Sequence, residues 1–149
     1  MANELSILNA MKQVIQSGLN AYLPQSIEQI GEKNVVIDFP DIDQMPMKNM
    51  FYSIPTWANY NTLTTESDDA TFNIAVFIVC RKDKPENLTV KVHHYFDALQ
   101  NLIHSNMTLD GEVDFSIVED VDFYYGVDGT RNVQAAEASV SIHYTKDYI

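Results

Sequence analysis

Apolar and polar positions are most sharply ordered in the middle of the chain. From Ala70 to Arg81, Phe72, Ile74, Val76, Ile78 and Cys80 share one face of an extended segment. Ala75, Phe77 and Val79 make the other face largely apolar as well, which predicts a central strand covered on both sides and not an edge. Lys82–Glu86 is a polar turn, and Asn87–Ile103 repeats Leu88, Val92, Tyr95, Leu99 and Leu102 at helical spacing. Phe96 and Ile103 widen that stripe until it is broad enough to cover a sheet.

The flanking segments follow the same logic. Asn3 caps a helix from about Glu4 to Tyr22, with Leu8, Met11, Ile15, Leu19 and Tyr22 on one stripe and Pro24 stopping it. After a polar connection over Ser26–Asn34, Val35, Ile37 and Phe39 alternate with Val36 and Asp38 as a short strand ending at Pro40. Asp41–Ser53 has no clean period, yet Met45, Met47, Met50, Phe51 and Tyr52 are too apolar for a solvated loop. That segment needs a cover, either the chain's own core or a neighbouring subunit, and the neighbour is the reading taken here.

Ile54–Thr64 predicts a strand in which Pro55 suits an edge or an entry point, paired as a hairpin with the central strand. Beyond the second helix Asp110-Gly111 signals a turn. Val113–Tyr125 then alternates with Val113, Phe115, Ile117, Val121, Phe123 and Tyr125 inward, and Asp114, Ser116, Asp120 and Asp122 outward. Gly126–Gly129 reverses the chain, Arg131–Tyr144 returns with Ala136, Ala138, Val140, Ile142 and Tyr144 inward, and Lys146–Ile149 forms a loose tail. The order α-β-β-β-α-β-β predicts an α+β fold: a mainly antiparallel sheet with both helices on one face. No repeat or linker divides the 149 residues, so a single domain is expected.

Charge narrows the function. Twenty-one acids against nine Lys and Arg give a net charge of −12, which opposes a grip on nucleic acid built from phosphate neutralisation. It equally opposes docking on anionic membranes. The lone cysteine, Cys80, lies in the apolar strand and behaves as a small hydrophobe. No segment has the length of a membrane span or the plan of a signal peptide, so a soluble chain that is not exported is expected. Asn87-Leu88-Thr89 and Asn106-Met107-Thr108 match the glycosylation triplet by chance.

No motif announces a reaction, and neither an enzyme nor a cofactor is expected. The five glycines form no phosphate loop, and no Gly-x-Ser-x-Gly turn is present. His93 and Asp97 stand one helical turn apart, with His94 or His143 as possible companions for a metal, but the helix pattern makes them a solvated face. Asp120 with Asp122, or Glu119 with Asp120, would suit a hard cation, yet strand alternation sends Asp120 and Asp122 to solvent, where they discourage edge pairing. Trp57, Tyr60, Tyr124 and Tyr125 are weighed between core and partner contact.

The order of elements and some local wording resemble a known family. The carriers are an amino-terminal helix, Ser53-Ile54-Pro55-Thr56-Trp57 ahead of a long strand, the strand ATFNIAVFIVCRKDK, a helix opening near Pro85-Glu86-Asn87, and two long closing strands. In these it resembles the small tail-terminator or tail-completion proteins of long-tailed bacteriophages and prophages. The resemblance implies a virion neck protein assembled in the host cytoplasm, without catalytic residues. It implies a ring, usually a hexamer, meeting the tail tube on one side and the head completion or connector protein on the other, with DNA passing through the lumen. An acidic pore wall would keep that DNA from adhering. Candidate contacts are the Met45–Tyr52 segment (Met45, Met47, Met50, Phe51, Tyr52), Trp57, and the hairpin tip with Tyr124, Tyr125 and Arg131. Two rival readings are a binding module that captures a peptide or apolar ligand with Asp41–Tyr60, and a small metal-dependent hydrolase using His93, Asp97 and His143.

Overall fold

The computed structural model describes residues 2–127 and 132–148. Five strands form one sheet: β1 (Val35–Val36), β2 (Asn49–Thr62), β3 (Ser67–Arg81), β4 (Phe115–Tyr124) and β5 (Val133–Asp147). Their order is β1-β2-β3-β5-β4, antiparallel except for β1 beside β2. Two helices, α1 (Glu4–Gly18) and α2 (Pro85–Ser105), complete the α+β architecture that the pattern predicts, in the predicted order.

The α1 helix starts where Asn3 and Ser6 cap each other: the Asn3 side chain accepts from the Ser6 amide at 2.8 Å, and Ser6 Oγ accepts from the Asn3 amide at 2.9 Å. A 3-10 turn, Leu19–Tyr22, extends it to the predicted end before Pro24. Pro85 opens α2, in the first turn where its missing N–H costs nothing.

Both helices lie on the same face of the sheet. Ile7, Met11 and Ile15 of α1 and Leu88, Tyr95 and Leu99 of α2 join Phe72, Ile74, Val76 and Ile78 of β3, and Val140 and Ile142 of β5, in the main core. Phe51 of β2 meets the Tyr95 ring edge-on at 5.5 Å. Cys80 is buried on this face, and burial pushes its thiol up to about 12.

Two clusters of charge tie the outlying segments to this core. The Glu4 carboxylate accepts from Tyr144 at 2.9 Å, from Lys146 at 2.8 Å, and from Tyr60, fastening the start of α1 to β5 and β2. Burial alone would raise its pKa, but the hydrogen bonds from Lys146, Tyr60 and Tyr144 prevail and hold it at about 2. Glu28, in the loop after α1, pairs with Lys48 at 2.9 Å and with the nearly buried Lys91 of α2 at 3.1 Å.

Four details depart from the sequence pattern. The strand predicted over Val35–Phe39 is reduced to Val35–Val36, because its ladder with β2 runs only through Phe51 and Tyr52. The segment predicted as irregular up to Ser53 is already strand from Asn49, since Met50, Phe51 and Tyr52 find partners on β3. Its cover is the chain's own: Met45, Met50, Tyr52, Val79, Val133 and Ala135 form a second small core on the other face of the sheet. The predicted loose tail is ordered through Tyr148, whose amide donates to Glu66 O at 2.7 Å and whose hydroxyl donates to Asp68 at 2.6 Å.

Candidate interaction surface

The face of the sheet away from the helices is where side chains remain to be partnered. Strand register sets out its residues in rows. Asn59, Thr71, His143 and Phe115 form one row, and Trp57, Asn73, Ser141 and Ile117 the next. Ile54, Ala75, Ser139 and Asp120 follow, then Tyr52, Phe77, Glu137 and Asp122, and finally Met50, Val79, Ala135 and Tyr124. The floor of the second and third rows is therefore made of small residues. Asn73 closes it by donating to Ser139 Oγ at 2.9 Å and accepting from Thr56 Oγ1 at 2.6 Å. Trp57, 51% exposed, stands on one rim, and Phe115 and Ile117, each 39% exposed, on the other. Phe115 stacks on His143 with ring centroids 4.3 Å apart.

A β-bulge explains why Phe115 and Ile117 point this way. The alternation predicted over Val113–Tyr125 puts them inward, but the register slips between Val118 and Asp120, with Glu119 as the extra residue. Before the slip Ser116 and Val118 face the helices; after it Val121 and Phe123 do. Ser116 is accordingly buried, its hydroxyl donating to Met107 O at 2.8 Å, where the pattern had it outward. One signal was available: Glu119, a carboxylate, falls in the series 117, 119, 121 that the simple alternation sends into the core.

At the far end of the same face, residues 37–48 fold over the sheet. Arg81 holds them there, its guanidinium donating to Ile42 O at 3.1 Å and to Met45 O at 2.7 Å. Between this segment and the end of β4 runs a groove of about 820 Å³, floored by Phe77, Val79 and Ala135. Phe39, 66% exposed, and Tyr124, 42% exposed, wall it. Phe39 escapes a pattern that counts it as a strand residue, because the strand stops at Val36.

The residues singled out as contacts divide in two. Met47, Trp57, Tyr124 and Tyr125 are exposed, whereas Met45, Met50, Phe51 and Tyr52 are buried in the chain's own two cores. Tyr125, expected inward, is exposed and lies 3.3 Å from His93 Nε2. Arg131 lies outside the described residues.

The proposed hydrolase triad is not brought together. His93, on α2, stacks on Phe123 at 4.3 Å on the helix side of the sheet, while His143 stacks on Phe115 on the opposite side. The sheet itself separates them. Among the described residues no three His, Cys, Asp or Glu side chains gather as a metal site would require. Asp120 and Asp122 are exposed on the open face, as alternation around the bulge dictates. No helix among the described residues is long and apolar enough to cross a membrane.

Helices on one face of the sheet and a rimmed, partly apolar surface on the other define the fold. One solved structure bears directly on it. The fold resembles that of a tail terminator. The similar chain is the sheath/tube terminator, in its extended state, of an extracellular contractile injection system called PVC. The TM-score is 0.55 at 14% identity, and the match covers 99% of this chain. It spans 58% of the terminator's length, so that protein carries much that this chain does not match. No family model and no curated protein matches the sequence.

Proposed function

We propose that this chain is a structural tail terminator of a long-tailed phage or prophage, one domain over residues 1–149 that assembles into a ring, usually a hexamer. The ring caps the tail tube, meets a head completion or connector protein on its other side, and lets DNA pass without binding it specifically. Its place is the neck of the virion, and it catalyses no reaction.

The observation that carries this reading is the fold shared along nearly the whole chain with a sheath/tube terminator. Surface chemistry agrees with it. A trough with a floor of small residues and rims of Trp57, Phe115 and Ile117 gives a neighbouring subunit a flat seat with large apolar anchors. Met47, Trp57, Tyr124 and Tyr125 make direct contacts, with Met45, Met50 and Tyr52 supporting the outer face from beneath and Phe51 holding β2 from the helix side; Arg131, outside the described residues, is proposed as a further contact. A charge of −12 keeps DNA passing through the lumen from sticking to its wall.

Light scattering over a concentration series, with negative-stain imaging in the presence and absence of tail tubes, tests the proposal. Rings, alone or at tube ends, are expected. A strict monomer that neither forms rings nor decorates tubes overturns it.

A further inference from the structure

The groove beneath Phe39 is a different feature from the trough, and its chemistry is more selective. Its floor of Phe77, Val79 and Ala135 is apolar, and Phe39 leans over Phe77 with ring centroids 6.0 Å apart. Around that floor stand four carboxylates, from Asp38, Asp41, Asp43 and Glu137. Three of them are partly engaged by neighbours: Asp38 accepts from the Phe39 amide, Asp41 from the Asp43 amide, and Glu137 from the Tyr124 hydroxyl at 3.2 Å. Each of those bonds engages one carboxylate oxygen. No cation lines the groove among the described residues.

An apolar floor with aromatic walls and an acidic rim is complementary to a side chain with a long apolar stem and a cationic head. Arginine and lysine have that form, and an aromatic face beside a carboxylate suits their charge. We propose that this groove docks a short segment of a partner protein that carries an arginine or lysine next to an aliphatic or aromatic residue. A second copy of this chain is a poor occupant: Lys48, Lys91 and Lys146 are already paired within the chain, Lys33, Lys82 and Lys84 each adjoin an acidic residue, and the apolar neighbour of Lys12, Met11, is buried. The assignment of a protein partner, as opposed to a free cation, rests on the assembly reading above.

Fluorescence anisotropy with labelled peptides tests the groove without requiring assembly. The probe is Lys-Phe-Arg-Leu-Lys-Leu, with Glu-Phe-Glu-Leu-Glu-Leu and Lys-Ser-Arg-Ser-Lys-Ser as comparisons. The first should bind at least about tenfold more tightly than either, since neither charge nor apolar contact suffices alone. Phe39→Ser, at an exposed side chain, should weaken it about fivefold or more, as should the triple Asp38→Asn, Asp41→Asn, Asp43→Asn. The double Asp69→Asn, Asp97→Asn, exposed at the other end of β3 and on α2, should leave it unchanged. Thermal melts of each variant confirm that the fold is intact.

Equal binding of the serine peptide, no effect of Phe39→Ser, or an equal loss in the Asp69/Asp97 double variant overturns the proposal. So does a loss of self-association in the Asp38/Asp41/Asp43 variant, which would make a second copy the occupant. Tube capping without peptide binding sinks the groove and spares the terminator reading. Peptide binding by a chain that forms no rings and caps no tubes does the reverse.

Discussion

The two faces of the one sheet are built from the same four long strands, yet they are composed differently. Toward the helices, β3 and β5 present Phe72, Ile74, Val76, Val140 and Ile142 in unbroken succession. Toward the outside, the same strands present Asn73, Ala75, Ser139 and Ser141 along the trough, with large apolar groups at its rims in Trp57, Phe115 and Ile117 and, beyond it, Phe77 and Val79 flooring the groove beside residues 37–48. A face that is already covered needs volume in its middle, to fill the space against its helices. A face that awaits a cover from outside needs a shallow middle and grip at its margins. Stability should therefore depend on the first face and association on the second.

Four variants test this division. Phe51→Ala, which removes a fully buried ring packed on Tyr95, should cost about 3–5 kcal/mol in urea denaturation, enough to unfold a marginal domain. Gly18→Val comes next. A β-carbon at Gly18 would lie 2.7 Å from Leu102 Cδ1, where α1 ends against α2, and the larger side chain should cost about 1–3 kcal/mol by the same measurement.

Glu4→Gln should remove about 1–2 kcal/mol at neutral pH, a figure discounted for its partial exposure to solvent. The folded carboxyl is held at about 2 against an ordinary 4.5, so its contribution is complete above the ordinary value and is lost as pH falls toward 2. Melting temperatures of the wild type and the variant should differ at pH 7 and converge as acid is added. A constant offset down to pH 2 would contradict the assignment. Least costly to folding should be Trp57→Ser with Ile117→Ser. Both are exposed, so the monomer should change by no more than about 0.5 kcal/mol while ring formation is lost in light scattering. A large loss of stability there would erase the distinction between the faces.

How far this was legible in the sequence depends on whether local pattern or long-range register decides the answer. The β3–α2 unit was readable because every position from Phe72 to Cys80 and from Leu88 to Ile103 obeys one period, and the observed strand and helix only extend past the predicted ends. The Met-rich segment was misjudged in its start and its cover, because pairing of Met50–Tyr52 with Phe77–Val79 is a contact across the fold and not a local preference. β4 was misjudged in its facing at Phe115, Ser116 and Ile117, since a single extra residue inverts alternation on one side of it. Of the side chains singled out for their chemistry, Trp57 and Tyr124 are exposed. Phe39, Phe115 and Ile117 were missed because each sat in a period that ended or changed phase nearby. The division of His93 and His143 between opposite faces could be known only from topology.

The extra residue at Glu119 frees one half of a strand from the other. Beyond it, Val121 and Phe123 answer to the space beneath α2; ahead of it, Phe115 and Ile117 lie on the outer surface, where Phe115 stacks on His143. Residues 115 and 117 are thus at liberty to drift with a changing neighbour while the interior stays as it is. Loss of that one position would exchange the two constituencies at a stroke, burying the anchors and turning Ser116 and Val118 out to water.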